Sequence, residues 1–176
     1  MAKTFIKNLM HLLNQSQIRY VLTGGFALPY YGFPRASLDI DIIVEKDKTK
    51  LLKLACKLRE EGFEVADEDI IYAVENCEHF AVFYKNEFPY FDFKIACDDD
   101  SRFALSSYKL VKYHNIECRL VSPEALIVKK IEWGDFRDVK TILIRYREKL
   151  DMKKLLRLAK TKNLHRKLQQ LLSELE

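Results

Sequence analysis

Apolar positions Phe5, Leu9, Leu12 and Leu13 recur at helical spacing, so residues 3–15 are predicted to form an amphipathic packing helix. A short apolar run, Tyr20-Val21-Leu22, reads as a strand that stops at Thr23-Gly24-Gly25, and residues 26–31 read as a short helix ending at Gly32. Pro29 fits that helix only in its first turn, where no intrahelical donor is lost. Strict alternation over 38–44 puts Asp39 and Asp41 on one face of a second strand and Ile40, Ile42 and Val44 on the other. Residues 48–61 carry a helical stripe of Leu51, Leu52, Leu54, Ala55 and Leu58, closed by Gly62. Residues 63–65 suggest a brief strand, and 67–76 is ambiguous. Strands at 79–84 and 90–96 are joined by a turn at Lys85-Asn86-Glu87. In the second of these, Tyr90, Asp92, Lys94 and Ala96 share one face, and Phe91, Phe93 and Ile95 share the other. Further strands at 106–113 and 116–120 flank a turn at His114-Asn115.

From Ser122 onward the period is helical. Ser122-Pro123-Glu124 has the form of a helix start, with a capping Ser and Pro at the first helical position. Helices follow at 123–132, 135–149, 151–161 and 164–175. The stripe Leu164, Leu168, Leu171, Leu172 and Leu175 in the last reads first as core and second as a homodimer face. The expected fold is α+β: a mixed β-sheet flanked by helices over 1–121, and a C-terminal helical bundle over 122–176.

Composition changes this picture little. The chain has 176 residues, 48% apolar and 32% charged, enough to bury a real core. A net charge of +4 excludes no partner. From Lys109 on, however, basic residues outnumber acidic ones, which suits an anionic partner such as RNA and more commonly describes a solvated helical surface. Cys56, Cys77, Cys97 and Cys118 form no close pair and no zinc pattern. With no signal-peptide pattern at the start, they are expected to be reduced thiols in a cytoplasmic protein. No apolar run approaches the length of a membrane span, so no membrane partner is expected.

The chemistry concentrates between Thr23 and Val44. Asp is depleted in strands, yet two occur in one strand, on one face. Such carboxylates repel each other until a divalent cation relieves them, and Mg²⁺ prefers a few carboxylates together with phosphate oxygens. Asp92, on a neighbouring strand, is the candidate third acid, and Asp98, Asp99 and Asp100 compete with it from what reads as a solvated turn. The amides after Gly24-Gly25, at a helix start, suit terminal phosphates. Arg35 would either grip the same phosphates or form a surface salt bridge. Lys94 reads as a structural ion pair. His79 and His114 have no partner spacing and read as strand-surface residues. Trp133 and the aromatics of 80–93 read as core.

The run Gly24-Gly25, then a short helix, Arg35 and Asp39-x-Asp41 in an apolar strand resembles the DNA polymerase beta-like nucleotidyltransferase superfamily. It is similar in particular to small prokaryotic members, the minimal nucleotidyltransferases and the AbiEii-type toxins. The segment 122–131 with Arg137-Asp138 resembles the AbiEii-type pattern as well. That likeness implies transfer of a nucleoside monophosphate from an NTP such as ATP to an acceptor hydroxyl, with release of pyrophosphate. It implies two Mg²⁺ ions, or Mn²⁺ in their place, held by Asp39, Asp41 and Asp92, the last also helping to deprotonate the acceptor. Gly24, Gly25, Arg35, Ser37 (where these families often have Thr) and Lys129 or Lys130 would serve the nucleotide, and Asp138 would orient that Lys or Arg137. The acceptor is open among RNA, protein and small molecules. The alternative is a non-catalytic nucleotide-binding regulatory module, or a toxin–antitoxin component of the same fold with its cognate partner.

Overall fold

The computed structural model describes residues 4–85 and 87–175. Lys3 and Asn86, at the edge of the first predicted helix and in the predicted hairpin turn, lie outside them. The described strands are β1 (Tyr20–Leu22), β2 (Asp39–Val44), β3 (His79–Tyr84), β4 (Glu87–Ile95), β5 (Tyr108–Tyr113) and β6 (Ile116–Val121). They form one mixed sheet in the order β3-β4-β2-β1-β6-β5. β1 runs antiparallel to β2 and parallel to β6, and β2 runs parallel to β4. This is the mixed α/β architecture that the alternating and helical periods predict.

The helices are α1 (Thr4–Gln15), α2 (Leu28–Tyr31, entered through a 3-10 turn, Gly24–Ala27), α3 (Lys48–Glu60), α4 (Asp67–Asn76), α5 (Asp99–Ser106), α6 (Pro123–Trp133), α7 (Phe136–Tyr146), α8 (Met152–Thr161) and α9 (His165–Ser173). Pro29 falls in the first turn of α2, as its missing N–H requires. Ser122 caps α6 by accepting from the Ala125 N–H. Ile40, Ile42 and Val44 are buried on the sheet face that also presents Phe91, Phe93 and Ile95. Phe5 of α1 packs edge-on against Phe91, with ring centroids 6.0 Å apart, which sets α1 on that face. Leu168 and Leu171 of α9 are fully buried in the same continuous core, so that stripe packs inward.

One open segment is settled and two expectations are corrected. Residues 67–76 are helical: Ile70, Ala73 and Val74 make a buried face, and Asp67, Glu68 and Asp69 favour the positive end of the helix dipole. Residues 98–106 are not a solvated turn leading into a strand. Asp98 accepts from the Ser101 N–H at 2.7 Å and caps α5, whose Ala104 and Leu105 are buried. Residues 63–65 supply only a single bridge, Glu64 to Phe83.

The cysteines are also not all free. Antiparallel pairing of β3 with β4 brings the residues flanking the hairpin together, and Cys77 and Cys97 form a disulfide with Cα atoms 5.8 Å apart. Their spacing in sequence is the length of the hairpin itself. Cys56 and Cys118 are free. Among the described residues, no helix is long and apolar enough to cross a membrane.

At the far end of β2, Glu45 accepts from Arg19 (Nε, 2.8 Å; backbone N, 3.0 Å) and from Lys50 (Nζ, 2.8 Å), joining the approach to β1 to the start of α3. Burial pushes its carboxyl up, but these donors outweigh burial and hold it at about 2, against an ordinary 4.5. Its contribution to stability is therefore complete above pH 4.5 and lost as pH falls towards 2. Glu45→Gln should cost about 1–2 kcal/mol at neutral pH, and chemical denaturation should show that difference vanishing in acid. Thiol titration of the denatured, unreduced protein should find two free thiols, Cys56 and Cys118; four would contradict the Cys77–Cys97 bond.

Candidate active site

Parallel pairing of β2 with β4 places Asp41 directly opposite Asp92, with Asp39 opposite Tyr90 and Ile43 opposite Lys94. Because side chains alternate along a strand, this register puts Asp39, Asp41 and Asp92 on one sheet face. The backbone N–H of Thr23 donates to the Asp41 carbonyl at 3.0 Å, bringing the Gly24-Gly25 turn over the same acids. Gly24 has φ +60°, and a Cβ there would come within 2.6 Å of Asp41 Cγ. Only glycine meets both conditions.

Each carboxylate has its own protein donor. Ser37 Oγ donates to Asp39 Oδ1 at 2.6 Å, the Gly25 backbone N–H donates to Asp41, and His79 Nδ1 lies 2.8 Å from Asp92 Oδ2. The donors do not neutralise the cluster. Burial, then the charges of Asp39 and Asp92, push the Asp41 carboxyl above its ordinary range, against the opposing field of Lys130. Among the described residues, no three His, Cys, Asp or Glu side chains are gathered closely enough to coordinate one ion as they stand. The donor set nonetheless fits a hard divalent cation: hard oxygen donors on adjacent strands, with anionic repulsion that such an ion relieves.

Asp98, Asp99 and Asp100 are each ion-paired to a basic side chain, although Asp99 and Asp100 border the same cavity as Asp41 and Asp92. Asp98 pairs with Lys94 at 2.8 Å, Asp99 with Arg102 at 3.3 Å, and Asp100 with Lys162 at 2.5 Å. Arg35 Nε pairs with Asp138 at 3.1 Å, so its guanidinium is anchored to α7 while the side chain stays 44% exposed. Asp138 also holds the buried Lys130 at 2.6 Å. Burial raises the Asp138 carboxyl, but Lys130 and Arg35 outweigh it and hold it below the usual range. Asp138 thus orients Lys130 and Arg35; Arg137 is exposed. Lys129 lies 2.7 Å from Glu132 and 5.0 Å above the Trp133 ring.

Two cavities meet this row of acids. The smaller, about 250 Å³, is bounded by Gly25, Arg35, Ser37, Asp39, Tyr30 and Tyr113. The larger, about 500 Å³, is bounded by Asp41, Asp92, His79, Lys94, Lys129 and Trp133. Lys129 is thus separated from the other predicted nucleotide-binding residues. Trp133 is 62% exposed and lines the larger cavity, contrary to the core position expected for it. Phe83 and Phe88 are exposed as well, whereas Phe80, Phe91 and Phe93 are core. His79 lies on the strand surface as expected, but no sequence spacing pairs it with Asp92. The hairpin register supplies that pairing, and the hairpin itself was legible.

No protein-family model and no curated protein sequence matches the chain. Solved structures do. The crystal structure of ANT(2")-Ia in complex with adenylyl-2"-tobramycin is similar at a TM-score of 0.60 and 15% identity, over 90% of this chain and 94% of that one. An antigenic nucleotidyltransferase-like protein from Paracoccidioides brasiliensis aligns at TM-score 0.59 and 20% identity, over 97% and 89%. The lincosamide antibiotic adenylyltransferase LnuA, lincomycin-bound, aligns at 0.52 and 17%, over 81% and 98%. At these identities the likeness is one of fold: the chain has the nucleotidyltransferase-type fold expected of it.

Because Asp41 is costly to ionise in place, Asp41→Asn should stabilise the metal-free protein by about 1 kcal/mol, raising its melting temperature by roughly 2–4 °C. A carboxyl raised by folding opposes stability while ionised, so the advantage of the variant should shrink as pH falls and the wild-type group protonates. Melting curves from neutral to acidic pH check both the sign and the trend.

Proposed function

We propose that this protein transfers a nucleoside monophosphate from an NTP to the hydroxyl of an acceptor. The observation that carries this reading is the β2–β4 register, which sets a third carboxylate opposite the middle one of the pair, beneath a Gly-Gly turn. Asp39, Asp41 and Asp92 would hold Mg²⁺ or Mn²⁺, which would neutralise the departing pyrophosphate and acidify the attacking hydroxyl. The Gly24–Gly25 turn, through backbone not already given to Asp41, and the anchored Arg35 would bind and orient the phosphates, with Gly25 and Arg35 lining the smaller cavity. The acceptor enters the larger cavity. Its oxygen bonds to the α-phosphorus as the bond from that phosphorus to the bridging oxygen breaks, pyrophosphate leaves, and the hydroxyl proton passes to Asp92 Oδ1, the oxygen not engaged by His79.

A cavity of about 500 Å³ with Trp133 in its wall suits a small hydroxylated acceptor with an apolar face. Two of the similar structures are of antibiotic adenylyltransferases, one with adenylyl-2"-tobramycin and one with lincomycin bound, which supports that class over RNA. An RNA acceptor would make transfer fall steeply with added salt, whereas a small neutral acceptor would not.

Incubation with α-³²P-labelled NTPs, Mg²⁺ and fractionated cell extract should label an acceptor in the small-molecule fraction. Asp39→Asn or Asp92→Asn should reduce labelling by at least about 100-fold. Undiminished labelling by either variant would overturn the assignment of the acids.

A further inference from the structure

Asp92 stands opposite Ala81 in the β3–β4 pair, and His79 stands opposite Lys94. The Ala81 methyl is too short to cover a cross-strand neighbour. His79, two residues along the same face of β3, therefore reaches diagonally across the ladder to Asp92. The other basic neighbour on this face, Lys94, is drawn the opposite way by Asp98 at 2.8 Å. Asp92 thus takes its partner from the edge strand, and that strand is held firmly where it matters. The Ile95 N–H donates to the Glu78 carbonyl at 3.3 Å, and the Cys77–Cys97 disulfide closes the ladder two residues before His79.

We infer that His79 is a positioning residue of this site: it fixes the Asp92 carboxylate through Oδ2, so that Oδ1 is presented to the metal and to the acceptor hydroxyl. A carboxylate on a strand is free to turn about two side-chain torsions, and Asp92 is 24% exposed, too open for packing alone to choose its orientation. The other two acids have donors that come from the β1–β2 connection itself, Gly25 and Ser37. Only the third acid depends on a separate strand. His79 also lines the larger cavity beside Asp92, so it borders the space assigned to the acceptor while acting through the acid.

This inference rests on the proposed nucleotidyl transfer, and its test separates the two. His79→Ala, His79→Asn and Asp92→Asn are compared in the full chain. Mn²⁺ binding in the presence of a non-hydrolysable ATP analogue is read by electron paramagnetic resonance, and the kcat and KM of transfer are measured alongside. His79 is half exposed, and its replacement should leave the melting temperature nearly unchanged. His79→Ala should weaken Mn²⁺ binding and lower kcat by about 10–100-fold, with KM for the NTP within about twofold. His79→Asn, whose amide nitrogen can take the place of Nδ1, should restore most of both. If Asp92→Asn loses Mn²⁺ affinity and turnover while His79→Ala keeps them, Asp92 needs no positioning and the inference is wrong. A His79→Asn variant as defective as His79→Ala would overturn the hydrogen-bond basis. If Asp92→Asn itself changes neither quantity, the nucleotidyl-transfer reading fails, and this inference with it.

Discussion

Three carboxylates on one face of adjacent strands are an electrostatic liability, and much of this structure is arranged around containing it. The register that makes Asp41 and Asp92 cross-strand neighbours also makes them repel, and burial of Asp41 removes the solvent that would screen the repulsion. Each acid accordingly has a donor, two from the β1–β2 connection and one from the edge strand. Ser37 comes from the segment entering β2, Gly25 from the turn leaving β1, and His79 from the edge strand. Gly24 is glycine because nothing larger leaves room for the Asp41 carboxylate. These contacts offset the repulsion without abolishing it. A scaffold built for stability alone would have placed apolar or singly charged residues here, and the remaining strain is the physical argument for a functional site.

The helical half is tied to the same cluster. Lys130 is buried, and its field reaches Asp41, while Asp138 keeps both Lys130 and Arg35 in place. Further contacts hold α2 in place: Arg145 of α7 donates to the Gly32 carbonyl at 2.7 Å, and the Tyr31 hydroxyl donates to the carbonyl of Val121 in β6 at 3.0 Å. The arginine beside the smaller cavity is thus oriented by Asp138, a residue 103 positions away. A perturbation of α7 should consequently be felt at Arg35, which Asp138 anchors.

What was legible in the sequence follows from the range of the interactions. The period-two burial of β2 and β4 and the Ser122-Pro123 cap of α6 are local and can be read directly. So can the shared face of Asp39 and Asp41. Asp92 was recognisable as an inward-facing strand acid, but only register sets it opposite Asp41 rather than one pair away. The start of α5 was misread because an acidic run resembles a solvated turn until a carboxylate is seen capping Ser101. His79, the Cys77–Cys97 pair and the exposure of Trp133 are tertiary consequences, fixed by how the hairpin closes and by what lies across the cavity. Lys129 and Lys130 are adjacent in sequence and cannot point the same way on a helix. Only packing decides that Lys130 is the buried partner of Asp138 while Lys129 faces the larger cavity.

The two cavities give the acid row a direction. Asp39 borders the smaller one, and Asp41 and Asp92 border the larger. Under the proposed reaction, phosphates and acceptor approach from opposite sides and meet across the row, so the groups that recognise each are structurally separate. The smaller cavity combines the Gly25 backbone, Arg35 paired to Asp138 and Ser37 bonded to Asp39 with the rings of Tyr30 and Tyr113. The acceptor side is walled by the solvent-exposed Trp133 and by lysines in half-exposed ion pairs, which contribute little to stability. Substitutions in that wall can reshape the cavity without disturbing the carboxylates or their donors. Under the proposed reaction, acceptor specificity is therefore the property that substitutions in this wall would change first.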